Sequence, residues 1–228
     1  MARNKPKRRG PIFRWLWRAV GLGILLSLAL VLPLRWIDPA SSAFMLRERL
    51  SGNPVDYRWV DLSEMGSALP IAVVASEDQK FPLHHGFDVQ SMRDALAGGA
   101  SRGASTITQQ VAKNLYLWPG RSWLRKGIEA WFTLLIEACW SKRRILETYL
   151  NIAQFGPGLY GVGAATQHYF GRAPDRISPE EAARLATVLP SPSRIDPRHR
   201  SEYVDERAAW ILDQVKGLGG ARYLAGLD

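Results

Sequence analysis

Pro70-Ile71-Ala72-Val73-Val74-Ala75-Ser76-Glu77-Asp78-Gln79-Lys80-Phe81 joins an apolar run to two adjacent carboxylates, and the chain continues into His84-His85-Gly86-Phe87-Asp88. The run reads as a buried helix that opens with Pro70 at its first position, where a missing N–H costs nothing. Glu77 then stands at the margin of the core. Partial burial disfavours a charged carboxylate and lifts its pKa toward the range in which it exchanges protons near neutral pH. A Glu-Asp pair by itself is ordinarily a solvated helix end, so the segments around it decide the reading.

The 228 residues suffice for one domain with a substantial core plus an appendage. Residues 1–18 hold seven Lys or Arg and no acid, which is +7 of the formal +9. Residues 19–34 are apolar or small throughout, flanked by Trp15, Trp17, Arg35 and Trp36. With its flanks this run approaches the ~20 residues that span a bilayer. Arginines near its ends snorkel and tryptophans favour the interface. We therefore read 1–15 as a cytoplasmic basic tail and 16–37 as a transmembrane anchor, favoured over a cleaved signal peptide because no small-x-small site clearly follows the apolar run. The positive-inside rule places the rest of the chain outside the cytoplasm. Topology accounts for the basic arm, so no nucleic-acid partner is expected. Residues 38–62, rich in Ser, Pro and Arg, read as a stalk, and 63–228 as the functional domain. Cys139 is the lone cysteine, which excludes an intramolecular disulfide. The four histidines form no metal-ligand pattern, so a metal cofactor is not expected.

From Ser63 helical signals are continuous and strand-like alternation is scarce, which predicts an all-α domain. Asp88 can cap a helix to about residue 97, the glycine-rich 98–103 breaks it, and Ser105 can cap the next through Asn114. Residues 122–139 carry Trp123, Ile128, Trp131, Leu134, Leu135 and Ala138 at helical spacing. Ser141 starts another helix to about Ala153, and glycines 156, 158, 161 and 163 suggest a flexible loop. Ser178-Pro179-Glu180-Glu181 is a capping box opening a helix through Leu189. Ser201 begins a last helix to about Val215.

Three further segments carry chemistry. Gly103-Ala104-Ser105-Thr106-Ile107-Thr108-Gln109-Gln110-Val111-Ala112-Lys113-Asn114 sets hydroxyls and N–H groups at a helix N-terminus, an end that favours anions. Gln109 and Lys113, four apart, share a face that could hold a phosphorylated sugar, although alone the segment reads as a capped surface helix. In Arg121-Ser122-Trp123-Leu124-Arg125-Lys126-Gly127-Ile128-Glu129, Arg125 and Glu129 have the spacing of an ion pair. Between Arg93 and Arg144 nine Lys or Arg stand against three acids, Asp94, Glu129 and Glu137. That +6 field suits a pyrophosphate. Lys142-Arg143-Arg144-Ile145-Leu146-Glu147-Thr148-Tyr149-Leu150-Asn151, with Phe155-Gly156 and Tyr160-Gly161-Val162 after it, reads as structural, Glu147 being a helix-anchoring acid.

In this order and spacing the four segments resemble glycosyltransferase family 51, the peptidoglycan glycosyltransferases that polymerise lipid II, over roughly residues 63–195. No Ser-x-x-Lys or Lys-Thr-Gly occurs and the sequence ends at Asp228, so the resemblance is to monofunctional members lacking a penicillin-binding transpeptidase domain. It implies a lysozyme-like, two-lobed helical domain behind one transmembrane helix. It implies Glu77 as general base on the 4-hydroxyl of an acceptor GlcNAc, which attacks C1 of the donor MurNAc with inversion to a β-1,4 bond and release of undecaprenyl pyrophosphate. Glu129 matches a second catalytic glutamate that orients a cation or assists the leaving group. Ser105, Thr106, Gln109, Lys113, Arg121 and Arg125 fall among substrate-binding positions, with Asp78 and Lys126 supporting the cleft. Asp94 departs from an arginine common among relatives. No cofactor is implied, although divalent-cation stimulation stays open. The implied partners are lipid II, the nascent strand, the membrane, and cell-division or cell-wall synthesis proteins. The implied location is the bacterial inner membrane with the catalytic domain in the periplasm. An apolar patch including Trp118 or Trp123 would meet the lipid tail, with ordinary core packing the equal alternative for each tryptophan. A lytic glycan-cleaving enzyme and a catalytically silent envelope scaffold are the rival readings. The first has little use for the +6 field, and the second has none for Glu77.

Overall fold

Helix α3, Ala68–Glu77, is the apolar run of the opening stretch, and residues 69–75 are all buried. It starts at Ala68, so Pro70 takes the third helical position rather than the first. None of the first-turn N–H groups has an intrahelical acceptor, so the proline fits there as well. The computed structural model describes residues 11–91, 93 and 105–227.

Helix α1, Pro11–Val31, belongs to the 23-residue apolar stretch Phe13–Arg35, which is long enough to cross a bilayer and faces outward along most of its length. These are the features of a single-pass membrane anchor. Its end is fastened to the domain. Trp140 Nε1 donates to the Val31 carbonyl at 3.0 Å, and Arg144 donates from Nε to Leu34 O at 2.9 Å and from Nη2 to Ile37 O at 2.8 Å. These side chains satisfy carbonyls that a helix end otherwise leaves without partners.

The segment 38–62, expected as a stalk, is integrated into the domain. Helix α2, Ala43–Leu50, buries Met45, and strand β1, Asp56–Tyr57, joins a sheet. Val60 N donates to Asn151 Oδ1 and Leu62 N to Glu147 Oε1, both at 2.9 Å, so Glu147 does anchor its helix to the rest of the fold. A polar average composition concealed the few apolar residues, Phe44, Met45 and Tyr57, that pack here.

The fold is mostly helical, as expected, with one three-stranded sheet in the order β1-β3-β2, where β2 is Gln154–Gly156 and β3 is Leu159–Tyr160. Strands this short show no period-two alternation, which hid them. The glycines around them make a close-packed turn rather than a flexible loop: Gly161 has φ +78°, and a Cβ there would lie 2.4 Å from the Asn151 carbonyl oxygen.

Helices α4 (Ile107–Tyr116), α5 (Trp123–Cys139), α6 (Lys142–Ile152), α7 (Val162–Phe170), α8 (Pro179–Ala186) and α9 (Glu202–Gly217) complete the described fold. Ser141, Ser178 and Ser201 open α6, α8 and α9 as the sequence predicts, Ser122 caps α5 in the same way, and α8 ends before Leu189. Asp88 accepts from Ser91 N at 3.0 Å, as a helix cap does. The expected continuation to residue 97, Asp94 and the glycine break lie outside the described residues. In the core α3 packs between α8 and α9, while α4 packs on α5 and α6. The last turn of α3 thereby meets the first turns of α4.

Candidate active site

At that meeting point Glu77, the last residue of α3, is half-buried, and Gln110 Nε2 donates to its Oε2 at 2.9 Å. Desolvation by the surrounding protein raises its pKa; the Gln110 hydrogen bond, then the charges of Arg207 and Lys113, oppose that rise. Glu77 forms no ion pair among the described residues.

Asp78 has a different task. Its Oδ2 accepts from the Ile107 N–H at 2.9 Å, and His84 Nε2 lies 3.0 Å from each of its oxygens. The N-terminus of α4, expected to receive a ligand anion, therefore already holds an anion, the protein's own carboxylate. The cap of α4 is Thr106 rather than Ser105, and it forms a full capping box with Gln109: Thr106 N donates to Gln109 Oε1 at 3.0 Å and Gln109 N to Thr106 Oγ1 at 3.2 Å. Thr106 Oγ1 also donates to the Gly86 carbonyl at 2.6 Å. Both side chains are buried and committed to this turn, Gln109 beneath the surface and Thr106 at the wall of a cavity beside Glu77. Ser105 stays partly open beside them.

One turn further along α4, Lys113 lies over the ring of Phe44, 5.9 Å from its centroid, so the segment 38–62 contributes to the site. Burial lowers the Lys113 pKa, and the charge of Glu129 opposes that. Glu129, 2% exposed, accepts from Arg125 Nη1 at 2.6 Å and from Lys126 Nζ. The i,i+4 pair expected from sequence thus forms, with Lys126 as a third member. Arg121 is exposed at the entrance to α5, in a shallow cavity shared with Ser122, Trp123, Arg125 and Lys126.

Two concavities flank the Glu77–Gln110 hydrogen bond. One, about 270 Å³, contains Glu77, Asp78, Lys80, Asp88, Ser91 and Ser105. The other, about 250 Å³, contains Gln110, Lys113, Asn114, Tyr149 and Gln154. The structure brings Glu77, Asp78, Ser105, Thr106, Gln109 and Lys113 to one place, with Glu129, Arg125 and Lys126 coupled to it through the charge of Lys113. Among the described residues no three His, Cys, Asp or Glu side chains converge as a metal centre would require. Sequence reasoning missed Gln110, Tyr149, Arg207 and His84. A signal existed for Gln110, which stands three residues before Lys113 on the same helix face. The contacts of Tyr149 and Arg207 join distant segments and left none, while His84 stands only six residues after its partner Asp78.

A family described as "Transglycosylase" matches residues 45–216. A biosynthetic peptidoglycan transglycosylase of Xanthomonas campestris pv. campestris (strain B100) is 50% identical over 230 residues, covering 96% of this chain and 94% of the relative. Proteins of the same description from Pseudomonas entomophila (strain L48) and Pseudomonas putida (strain W619) are 49% and 50% identical over 93% of this chain, and 92% of each relative is covered.

Proposed function

Since this chain belongs to the transglycosylase family and is a peptidoglycan glycosyltransferase, we propose that it joins lipid II units into β-1,4 glycan with Glu77 as the general base. The observation that carries this reading is the state of Glu77: a desolvated carboxylate on a cleft wall, held by a neutral amide and neighboured by cations. Such a group is poised to take a proton.

Glu77 removes the proton from the acceptor's GlcNAc 4-hydroxyl as that oxygen attacks C1 of the donor MurNAc from the face opposite the leaving group. The C1–O bond to undecaprenyl pyrophosphate breaks, the electron pair leaves with the pyrophosphate, and the configuration inverts. A pyrophosphate departs as a stabilised anion, so the second carboxylic acid of glycoside hydrolysis is not needed. Lys113, Arg121, Arg125 and Lys126 supply the positive field for it, and Glu129 orients Arg125 and Lys126. Ser105 contacts substrate, while Asp78, Thr106 and Gln109 hold the helix end in place. One concavity contains Glu77 and the other contains its hydrogen-bond partner Gln110, which suits a reaction between two substrates.

The basic residues before α1 put the N-terminus in the cytoplasm and the domain in the periplasm, anchored in the inner membrane. Exposed Trp123, Leu124 and Trp118 lie at and just before the start of α5, the helix against which α1 packs, and would meet the lipid tail. The test incubates full-length protein in detergent with labelled lipid II, beside Glu77→Gln, and runs the products on a gel before and after muramidase. A muramidase-sensitive ladder that folded Glu77→Gln cannot make supports the reading. Absence of a ladder from folded wild type overturns it in favour of a scaffold, and shortening of added glycan overturns it in favour of a lytic enzyme.

A further inference from the structure

The wall between the two concavities contains a third residue whose part is fixed by hydrogen-bond chemistry. Tyr149, on α6 and 1% exposed, donates from its hydroxyl to Gln110 Oε1 at 3.0 Å, and Gln110 Nε2 donates to Glu77 Oε2 at 2.9 Å. A primary amide has one accepting end and one donating end, and a carboxylate only accepts. Gln110 must therefore turn its nitrogen toward Glu77, and the phenol at its other end makes that the orientation in which both bonds form. Burial, reinforced by the charges of Glu77 and Asp78, pushes the Tyr149 hydroxyl far above its ordinary pKa, so it stays a donor at any working pH.

We propose that Tyr149 is a positioning residue for the transfer reaction, acting through Gln110 to aim a neutral N–H donor at Glu77. This rests on the reading of Glu77 as the base. A neutral donor suits a base better than a cation does, because it steadies the anion without making it too weak to accept a proton. The other charges acting on Glu77 are Lys113 on α4 and Arg207 on α9, both of which favour its ionised form. Asp78 follows it in the chain, with its own oxygens occupied by Ile107 N and His84. Helix α8, also packed on α3, contributes buried apolar Ala182, Ala183, Leu185 and Ala186.

Glu77 must be ionised to work, so activity falls as pH drops through its pKa. Removing the Tyr149 hydroxyl frees the amide to rotate, the donor to Glu77 is lost from part of the population, and the pKa rises. The experiment records kcat/KM for lipid II polymerisation against pH for full-length wild type, Tyr149→Phe, Gln110→Met and the double variant in detergent, with thermal melts as a check on folding. Expected is an upward displacement of the acid limb by about one pH unit in each single variant. The double variant should move no further than Gln110→Met alone. An acid limb unmoved in Tyr149→Phe, whatever the loss in rate, reduces the tyrosine to a space-filler and overturns the proposal, as do displacements that add in the double variant. If Tyr149→Phe does not fold, Gln110→Met carries the test with the tyrosine in place, and an unmoved limb there is equally fatal. An active Glu77→Gln would instead overturn the assignment of the base.

Discussion

Glu77 and Glu129 are two carboxylates drawn out of bulk water in neighbouring parts of the fold, one closing α3 and one in the second turn of α5, and their partners differ in kind. Glu77 is held by the Gln110 amide and its pKa is raised by desolvation. Glu129 has one oxygen on Arg125 and the other on Lys126. A carboxylate bound by two cations is occupied as their counter-ion, and breaking such a buried group exposes the cost of the charges left behind. A carboxylate held by a neutral donor keeps the capacity to gain and lose a proton. On the proposed reading, that difference in partners makes Glu77 a base and Glu129 an organiser of cations.

The sharpest way to break this comparison is to neutralise each acid in turn. Glu77→Gln should lower kcat by about 10²–10⁴-fold, the range for loss of a general base. Its melting temperature should hold or rise, because a desolvated charge has been removed. The sign can be checked through pH. The raised pKa of Glu77 means that its ionisation weakens the folded state as pH rises through that pKa. The stability advantage of Glu77→Gln should accordingly appear toward neutral pH and vanish in acid, measured by denaturant unfolding. Lys113→Met, which keeps the length of the side chain and removes its charge, should cost about 10²–10³-fold in kcat if the cation stabilises the leaving pyrophosphate. Glu129→Gln should behave in the opposite manner to Glu77→Gln, losing roughly 3 kcal/mol of stability because Arg125 and Lys126 lose their counter-ion. Equal melting losses in the two glutamine variants would erase the distinction. The smallest effect is expected at Asp78→Asn, about 1–2 kcal/mol by denaturant unfolding, since the amide can still accept from Ile107 N but no longer matches His84 on both oxygens.

What could be read from the chain follows the range of the interaction. The capping serines at 141, 178 and 201 and the apolar run of α3 are local features, and they stand where the sequence predicts. The Arg125–Glu129 pair is equally local, one turn apart on one helix. The cap of α4 is local too, for Thr106 and Gln109 have the spacing of a capping box, although the neighbouring Ser105 offers a competing hydroxyl one residue earlier. Other features depend on residues far apart in the chain. Asp78 reaches Ile107, Tyr149 reaches Gln110, and Asn151 reaches Val60, and none of these pairings leaves a periodicity behind. The integration of residues 38–62 was hidden partly for the same reason: beside its few apolar residues, it is held by the distant Asn151 and Glu147.

The most direct test is a titration of the side-chain carboxyl of Glu77 by carbon-13 NMR in full-length protein carrying labelled glutamate, its resonance assigned by disappearance in Glu77→Gln. The account predicts a midpoint clearly above the ordinary glutamate value of about 4.3. A midpoint at or below that value would contradict it, because Glu77 would then lack the desolvation that the reading of it as a base rests on.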